Sequence, residues 1–245
     1  MSFFYDIGQY FLLMRRVMSK PDDSKVFFDS IWKEIILIGY YSIVIVVIIS
    51  AFIGAVITLQ AAYNMTNPLY PDYIIGLGTR DSVILEFSST IVGLVLAGKV
   101  GSSIASHIGT MQVTQQIDAL ETMGVNSANY LILPKIIAAA VTFPFLGLIS
   151  MITGIAGGWL AGEMSGEVLS AQYVYGLQYA FIPYYIVYSL IKICVFGIVI
   201  SSVSSYYGYY TVGGALEVGK ASTKAVVNSS LLILVFNLLL TSILL

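Results

Sequence analysis

Charge is what this chain has least of. Of its 245 residues, 10% are Asp, Glu, Lys or Arg, against about 25% in a soluble domain. Hydrophobic residues make up 58%, more than a water-soluble fold of this length can hide, so an integral membrane protein is expected. The net charge of −2 gives no basic field, which excludes nucleic acid as a natural partner. Cysteine is reduced to Cys194. That excludes a disulfide framework and any CxxC metal or redox motif, and leaves a small buried hydrophobe. His107 is the lone histidine, so neither a multi-histidine metal site nor an H-x-x-x-H zinc motif can form. No acid at suitable spacing supports His107 as a base beside Ser103 and Ser106, which disfavours an intramembrane hydrolase.

Long runs without charge are what the chain has instead. A helix needs about 20 apolar residues to cross the hydrocarbon, and five segments meet that length: 35–62, 82–104, 136–162, 184–206 and 225–245. The expected fold class is an all-α integral membrane protein, one domain over 1–245. The stretch 168–216 could hold two spans. Ser170, Gln172, Gly176, Gln178 and Pro183 favour one span, with 163–183 as a segment lying outside or partly re-entering. With five spans and the N-terminus inside, the inner side receives Arg15, Arg16, Lys20, Lys25, Lys33, Lys99, Lys135, Lys220 and Lys224. The outer side receives Arg80 alone. That bias sets the topology as N-terminus inside, C-terminus outside.

Residues 1–20 do not read as a signal peptide, because the positive residues follow the apolar ones. Phe3, Phe4, Ile7, Tyr10, Phe11, Met14, Val17 and Met18 fall at helical spacing, with Asp6, Gln9, Arg16 and Lys20 on much of the other face. This predicts a helix in the inner interface, with an ordinary amphipathic helix packed on the bundle as the alternative. Pro21-Asp22-Asp23-Ser24 predicts a turn before Trp32, an interfacial anchor.

Between the second and third spans lies a polar, helix-like block, 105–130, whose Asp118 and Glu121 suit contacts to a partner. Glu86 and Lys192 fall inside spans, where a mid-bilayer charge costs about 2.5 to 3.5 kcal/mol on insertion scales. They are read either as a structural ion pair or as lining a substrate path. Gly154, Gly158, Gly162 and Gly166 recur every fourth residue and predict close approach of another helix, in this chain or a second copy. Pro134 and Pro144 fit the same span if a neighbour satisfies the freed carbonyl. GLVLAGKV (93–100) and GALEVGKA (214–221) carry G-x-x-x-x-G-K but lack the following Ser or Thr, so no nucleotide hydrolysis is expected from this chain.

Several of these blocks, in order, resemble the MlaE/YrbE-type permeases, membrane subunits of ABC transporters that move phospholipids. They are GAVITLQ (54–60), AGKVGSSIASHIGTMQVTQQIDALETMG (97–124), KICVFG (192–197) and GYYTVGGALEVGKASTKAVV (208–227). The resemblance covers nearly everything from about residue 35 onward. It implies a cytoplasmic coupling helix that docks the ATPase through Gly109, Thr110, Gln116, Asp118, Ala119, Leu120 and Glu121. It also implies a homodimer whose interface forms a lipid cavity near Glu86, Lys192 and Asn237. No cofactor belongs to this chain; ATP and Mg are bound by the ATPase. A periplasmic MCE-domain protein is the implied outer partner, and the pattern also admits a small cytoplasmic STAS-type subunit. The implied location is the inner membrane of a Gram-negative bacterium. The sequence departs from the family pattern at Leu85 to Ser89, where an Arg and a Pro are lost, at His107 and Gln115, which replace glutamates, and at Asn237, which replaces Asp. A secondary transporter using Glu86 as a proton site, and a scaffold without transport, are the readings of other classes.

Overall fold

The computed structural model describes residues 2–19, 24–65 and 71–245, with only the backbone described at 2–4 and 24. The turn expected at Pro21-Asp22-Asp23-Ser24 therefore lies outside the described residues, apart from the backbone of Ser24. Among the described residues there is no strand. The helices are α1 (Ser2–Val17), α2 (Lys25–Asn64), α3 (Tyr73–Val113), α4 (Gln116–Thr122), α5 (Ser127–Ser165), α6 (Ser170–Gln178), α7 (Tyr184–Tyr209) and α8 (Ala215–Leu244). Five of them, α2, α3, α5, α7 and α8, are long and apolar enough to cross a membrane. The chain is an all-α integral membrane protein.

Most of these helices outrun the apolar segments that signalled them. At about 1.5 Å per residue the 39 residues of α5 reach about 58 Å, roughly twice the hydrocarbon thickness. Its ends must therefore project into the interfaces, where polar residues continue the helix at little cost. Widened π-helical turns interrupt α2 at Ile36–Tyr40 and α3 at Val83–Ile91 and Ala97–Gly101. Such turns recur at functional sites, and the second carries Glu86.

Contacts divide the chain into two compact units. The first comprises Met1–Tyr41, Leu94–Phe143 and Cys194–Thr241; the second comprises Ser42–Gly93, Pro144–Ile193 and Ser242–Leu245.

In the second unit, glycine lets α2 and α5 meet backbone to backbone. A Cβ on Gly54 would lie 1.8 Å from the Gly154 carbonyl oxygen, and one on Gly157 would lie 2.2 Å from that of Ala51. Both are sterically impossible without moving a helix. Ser50 donates to Ser150 across this contact at 2.8 Å. The predicted strip thus finds its neighbour within the chain for Gly154 and Gly158, whose would-be Cβ meets the Thr58 hydroxyl. Gly162 makes ordinary contacts, while Gly166 has φ +73° beyond the end of α5 and meets nothing.

α6 packs on the first turns of α3 in the same unit, and Tyr173 is buried beside Ala62, Ile75 and Val168. Arg80 secures the end of α6. Its guanidinium, 3% exposed, donates to the carbonyls of Leu177 and Tyr179 at 2.8 Å each, pairs with Asp81 and stacks over Phe181. A cation there compensates the negative end of the helix.

In the first unit α1 buries Leu13 and Val17, while Tyr5, Phe11, Leu12 and Met18 stay exposed. The Tyr10 hydroxyl donates to Ser202 of α7 at 2.9 Å. α1 thus packs on its unit and also offers apolar side chains outward. Pro144 has no N–H for the carbonyl of Ala140, four residues back. The Cys194 thiol donates to that oxygen at 3.4 Å, which gives the lone cysteine a partner.

Candidate functional site

The polar block between α3 and α5 is two helices rather than one. α3 runs on through His107 to Val113, and the chain breaks at Thr114 and Gln115, the latter at φ +59°. α4 then closes on Gly124 at φ +80°. Val125 N–H bonds the Leu120 carbonyl at 3.1 Å and Gly124 N–H bonds that of Glu121 at 3.0 Å. This is the paired six-to-one and five-to-two closure that needs glycine in the left-handed region. The side chain of Asn126 then accepts from the Asn129 N–H and caps α5.

Of the residues carried over to this segment, Gly109 is buried, and a Cβ there would press on Thr211 and Val218 at 3.3 Å. Thr110, Gln116, Asp118 and Ala119 are exposed, and Leu120 is half-buried. The Glu121 side chain is 41% exposed yet engaged by three donors. Its Oε1 accepts from Arg16 and Ser127 at 2.8 Å and from Tyr209 at 3.0 Å, and the two hydroxyls lie 2.8 Å apart. The bond from Ser127 is the largest influence holding its carboxyl below the ordinary value. Partial burial opposes it, and the bonds from Arg16 and Tyr209 reinforce it. Asn129 donates to the carbonyls of Val17 and Ser19 at 2.7 Å, and Asn126 to that of Arg16. The end of α1, α4, the start of α5 and the end of α7 are thus tied at one point.

The second candidate lies in the other unit. Lys192 of α7 is wholly buried; its Nζ donates to Glu86 Oε1 at 3.0 Å, to the Tyr188 hydroxyl at 2.9 Å and to the Leu85 carbonyl at 3.4 Å. Thr90 donates to the other Glu86 oxygen at 3.0 Å. Three acceptors match the three protons of an ammonium, so the structure answers the pairing left open by the sequence. Glu86 keeps a 41% exposed side chain, enough to meet a ligand. Asn237 sits half-buried on α8 within the first unit.

Sequence reasoning missed Tyr188 and Thr90, although each stands four residues from its partner on a helix and the spacing alone brings them together. It also missed Arg16, Ser127 and Tyr209 as partners of Glu121, for which no local signal exists. Both G-x-x-x-x-G-K stretches lie in helices, α3 and the start of α8. Within α3 the N–H groups are engaged by the helix's own carbonyls.

The fold and these clusters define a multi-pass membrane protein with a polar segment between two of its spans. The chain belongs to the MlaE permease family, whose model matches residues 31–243. A probable ABC transporter permease protein of Rickettsia bellii is 39% identical over 96% of this chain and 90% of its own length. The intermembrane phospholipid transport system permease protein MlaE of Haemophilus influenzae is 28% identical over 99% and 93%. The chloroplastic protein trigalactosyldiacylglycerol 1 of Arabidopsis thaliana is 33% identical over 83% of this chain and 58% of its own length.

Proposed function

We propose that this chain is the permease subunit of an ABC transporter that moves phospholipid between inner and outer membranes, with ATP and Mg bound by a separate ATPase. The observation that carries the reading is α4, a short helix between two candidate spans that presents Gln116, Asp118 and Ala119 outward. It is braced from behind by the bonds to Glu121. A rigid outward face of this kind suits transmission of motion from a docked partner. The family match supports the permease role, and the name of the Haemophilus relative supports phospholipid as cargo. The remaining elements are a second copy of the chain enclosing a lipid cavity, a periplasmic MCE-domain protein and a small STAS-type subunit. The predicted orientation, N-terminus cytoplasmic and C-terminus periplasmic, rests on the distribution of Lys and Arg.

Glu86 and Lys192 are the groups for the lipid path. Lys192→Ala is expected to reduce photo-crosslinking to lipid analogues, and unchanged labelling would return the pair to a structural role. Asp118→Lys is expected to abolish lipid-stimulated ATP hydrolysis with normal membrane insertion; unaffected hydrolysis would remove the coupling role from α4. Asp118 is the cleaner probe, because reversal at Glu121 also breaks internal bonds. The assembly itself is tested by purification in mild detergent with mass spectrometry of what accompanies the chain. Stoichiometric recovery of an ABC ATPase and an MCE-domain protein is expected. Recovery of the chain alone after cross-linking would overturn the reading in favour of an ion-coupled transporter using Glu86.

A further inference from the structure

A cavity of about 390 Å³ opens in the first unit between α1, the end of α7 and the first turns of α8. That is within the size range of small-ligand sites, and none of the roles above uses it. Its wall from α7 is aromatic. The Tyr206 ring stands 5.3 Å from that of Tyr207 and 5.2 Å from that of Tyr210, both steeply tilted. The α8 side brings Glu217, Lys220 and Lys224, and α1 brings Asp6.

The charges of this lining are selective. Glu217 and Lys220 neutralise each other at 2.6 Å. Lys224 and Asp6 have no ion-pair partner among the described residues. The cavity therefore offers one free cation and one free anion, together with tyrosine hydroxyls and ring faces. An anion alone would satisfy half of this set and a cation the other half; a zwitterion satisfies both.

Its place fixes the source of the ligand. Tyr206 and Lys224 stand at the edges of the apolar segments 184–206 and 225–245, and such edges lie at the level of lipid headgroups.

We propose that this cavity binds the headgroup of a zwitterionic phospholipid. Lys224 and the Tyr207 hydroxyl hold the phosphate, while Asp6 and the exposed ring of Tyr210 hold the ammonium. The proposal rests on the phospholipid reading above and deepens it by naming the headgroup class and a site apart from the Glu86–Lys192 pair.

The test uses the full-length chain, purified in detergent, stripped of lipid and titrated in native mass spectrometry. The probes are dioleoyl phosphatidylethanolamine and dioleoyl phosphatidylglycerol. Lys224→Gln is expected to weaken both lipids about tenfold, the worth of one hydrogen bond to a charged group. Asp6→Asn is expected to weaken phosphatidylethanolamine by a similar factor and leave phosphatidylglycerol unchanged, since the latter has no ammonium. Both side chains are exposed, so the variants should melt like the parent protein. Loss of neither lipid, or equal loss of both, in Asp6→Asn would overturn the proposal. Competition by glycerophosphoethanolamine at the affinity of the intact lipid would also overturn it, by assigning the site to a soluble phosphodiester. The measurement needs no ATPase, so a failure of the transporter assembly and a failure of this site are read separately.

Discussion

Glu121 and Glu86 are built into their surroundings with similar parts: each carboxylate takes one basic side chain and hydroxyl donors. Both side chains are 41% exposed. The cations differ. Arg16 is 51% exposed, whereas Lys192 is not exposed at all. Arg16 can therefore exchange its partner for water, and Lys192 cannot. The same ion pair is an adjustable tie in one place and an obligation in the other, because the cost of an unpaired charge is set by the solvent within its reach.

The largest expected effect follows from that asymmetry. Glu86→Gln strands a buried ammonium and should destabilise the protein by about 3 to 5 kcal/mol, read as a lower melting temperature in a fixed detergent. Lys192→Met removes the buried charge and leaves a carboxylate that still reaches solvent, so it should cost much less. Equal melting temperatures for the two variants would break the comparison.

A smaller effect is expected at the other pair. Arg16→Ala should cost about 0.2 to 1 kcal/mol, the range of exposed ion pairs. Glu121→Gln should be similarly mild, because Ser127 and Tyr209 retain their own hydrogen bond. Raising salt should erase the difference between Arg16→Ala and the parent protein, while leaving that of Glu86→Gln in place.

The smallest effect lies in pH. Glu121 is held below its ordinary value, so its contribution is complete above the unfolded carboxylate pKa of about 4.3 and is lost as pH falls through the lower folded value. Melting curves of the parent and Glu121→Gln should run parallel from pH 7 to 5 and converge only in more acid buffer. Convergence near neutrality would reverse the assigned shift.

These contrasts mark how far the sequence could be read. Composition and charge-free runs were enough for the five long helices, since every backbone group in hydrocarbon must be satisfied within a helix. The continuation of α3 through His107 was not visible, because polar residues outside the hydrocarbon neither favour nor forbid a helix. Glycine spacing pointed to a close approach but named Gly166 in place of Gly157. A period of four drifts around a helix of 3.6 residues per turn, and the contact follows the face. The candidate residues Asp118, Glu121, Glu86 and Lys192 stood out through scarcity of charge. Their partners did not, except where helical spacing supplied them, as for Tyr188 and Thr90. Burial of Lys192 depends on residues about 100 positions away, such as Glu86, and no local pattern encodes it.

Arg80 carries a consequence for the order of assembly. Its guanidinium is completed by carbonyls 97 and 99 residues further along the chain. At a synthesis rate of about 5 to 20 residues per second, those acceptors emerge roughly 5 to 20 s after the arginine. Throughout that interval the side chain must stay hydrated or be borrowed by another group. Docking of α6 is therefore a late event in biogenesis, and the first turns of α3 acquire their final surroundings only after α5 has been made.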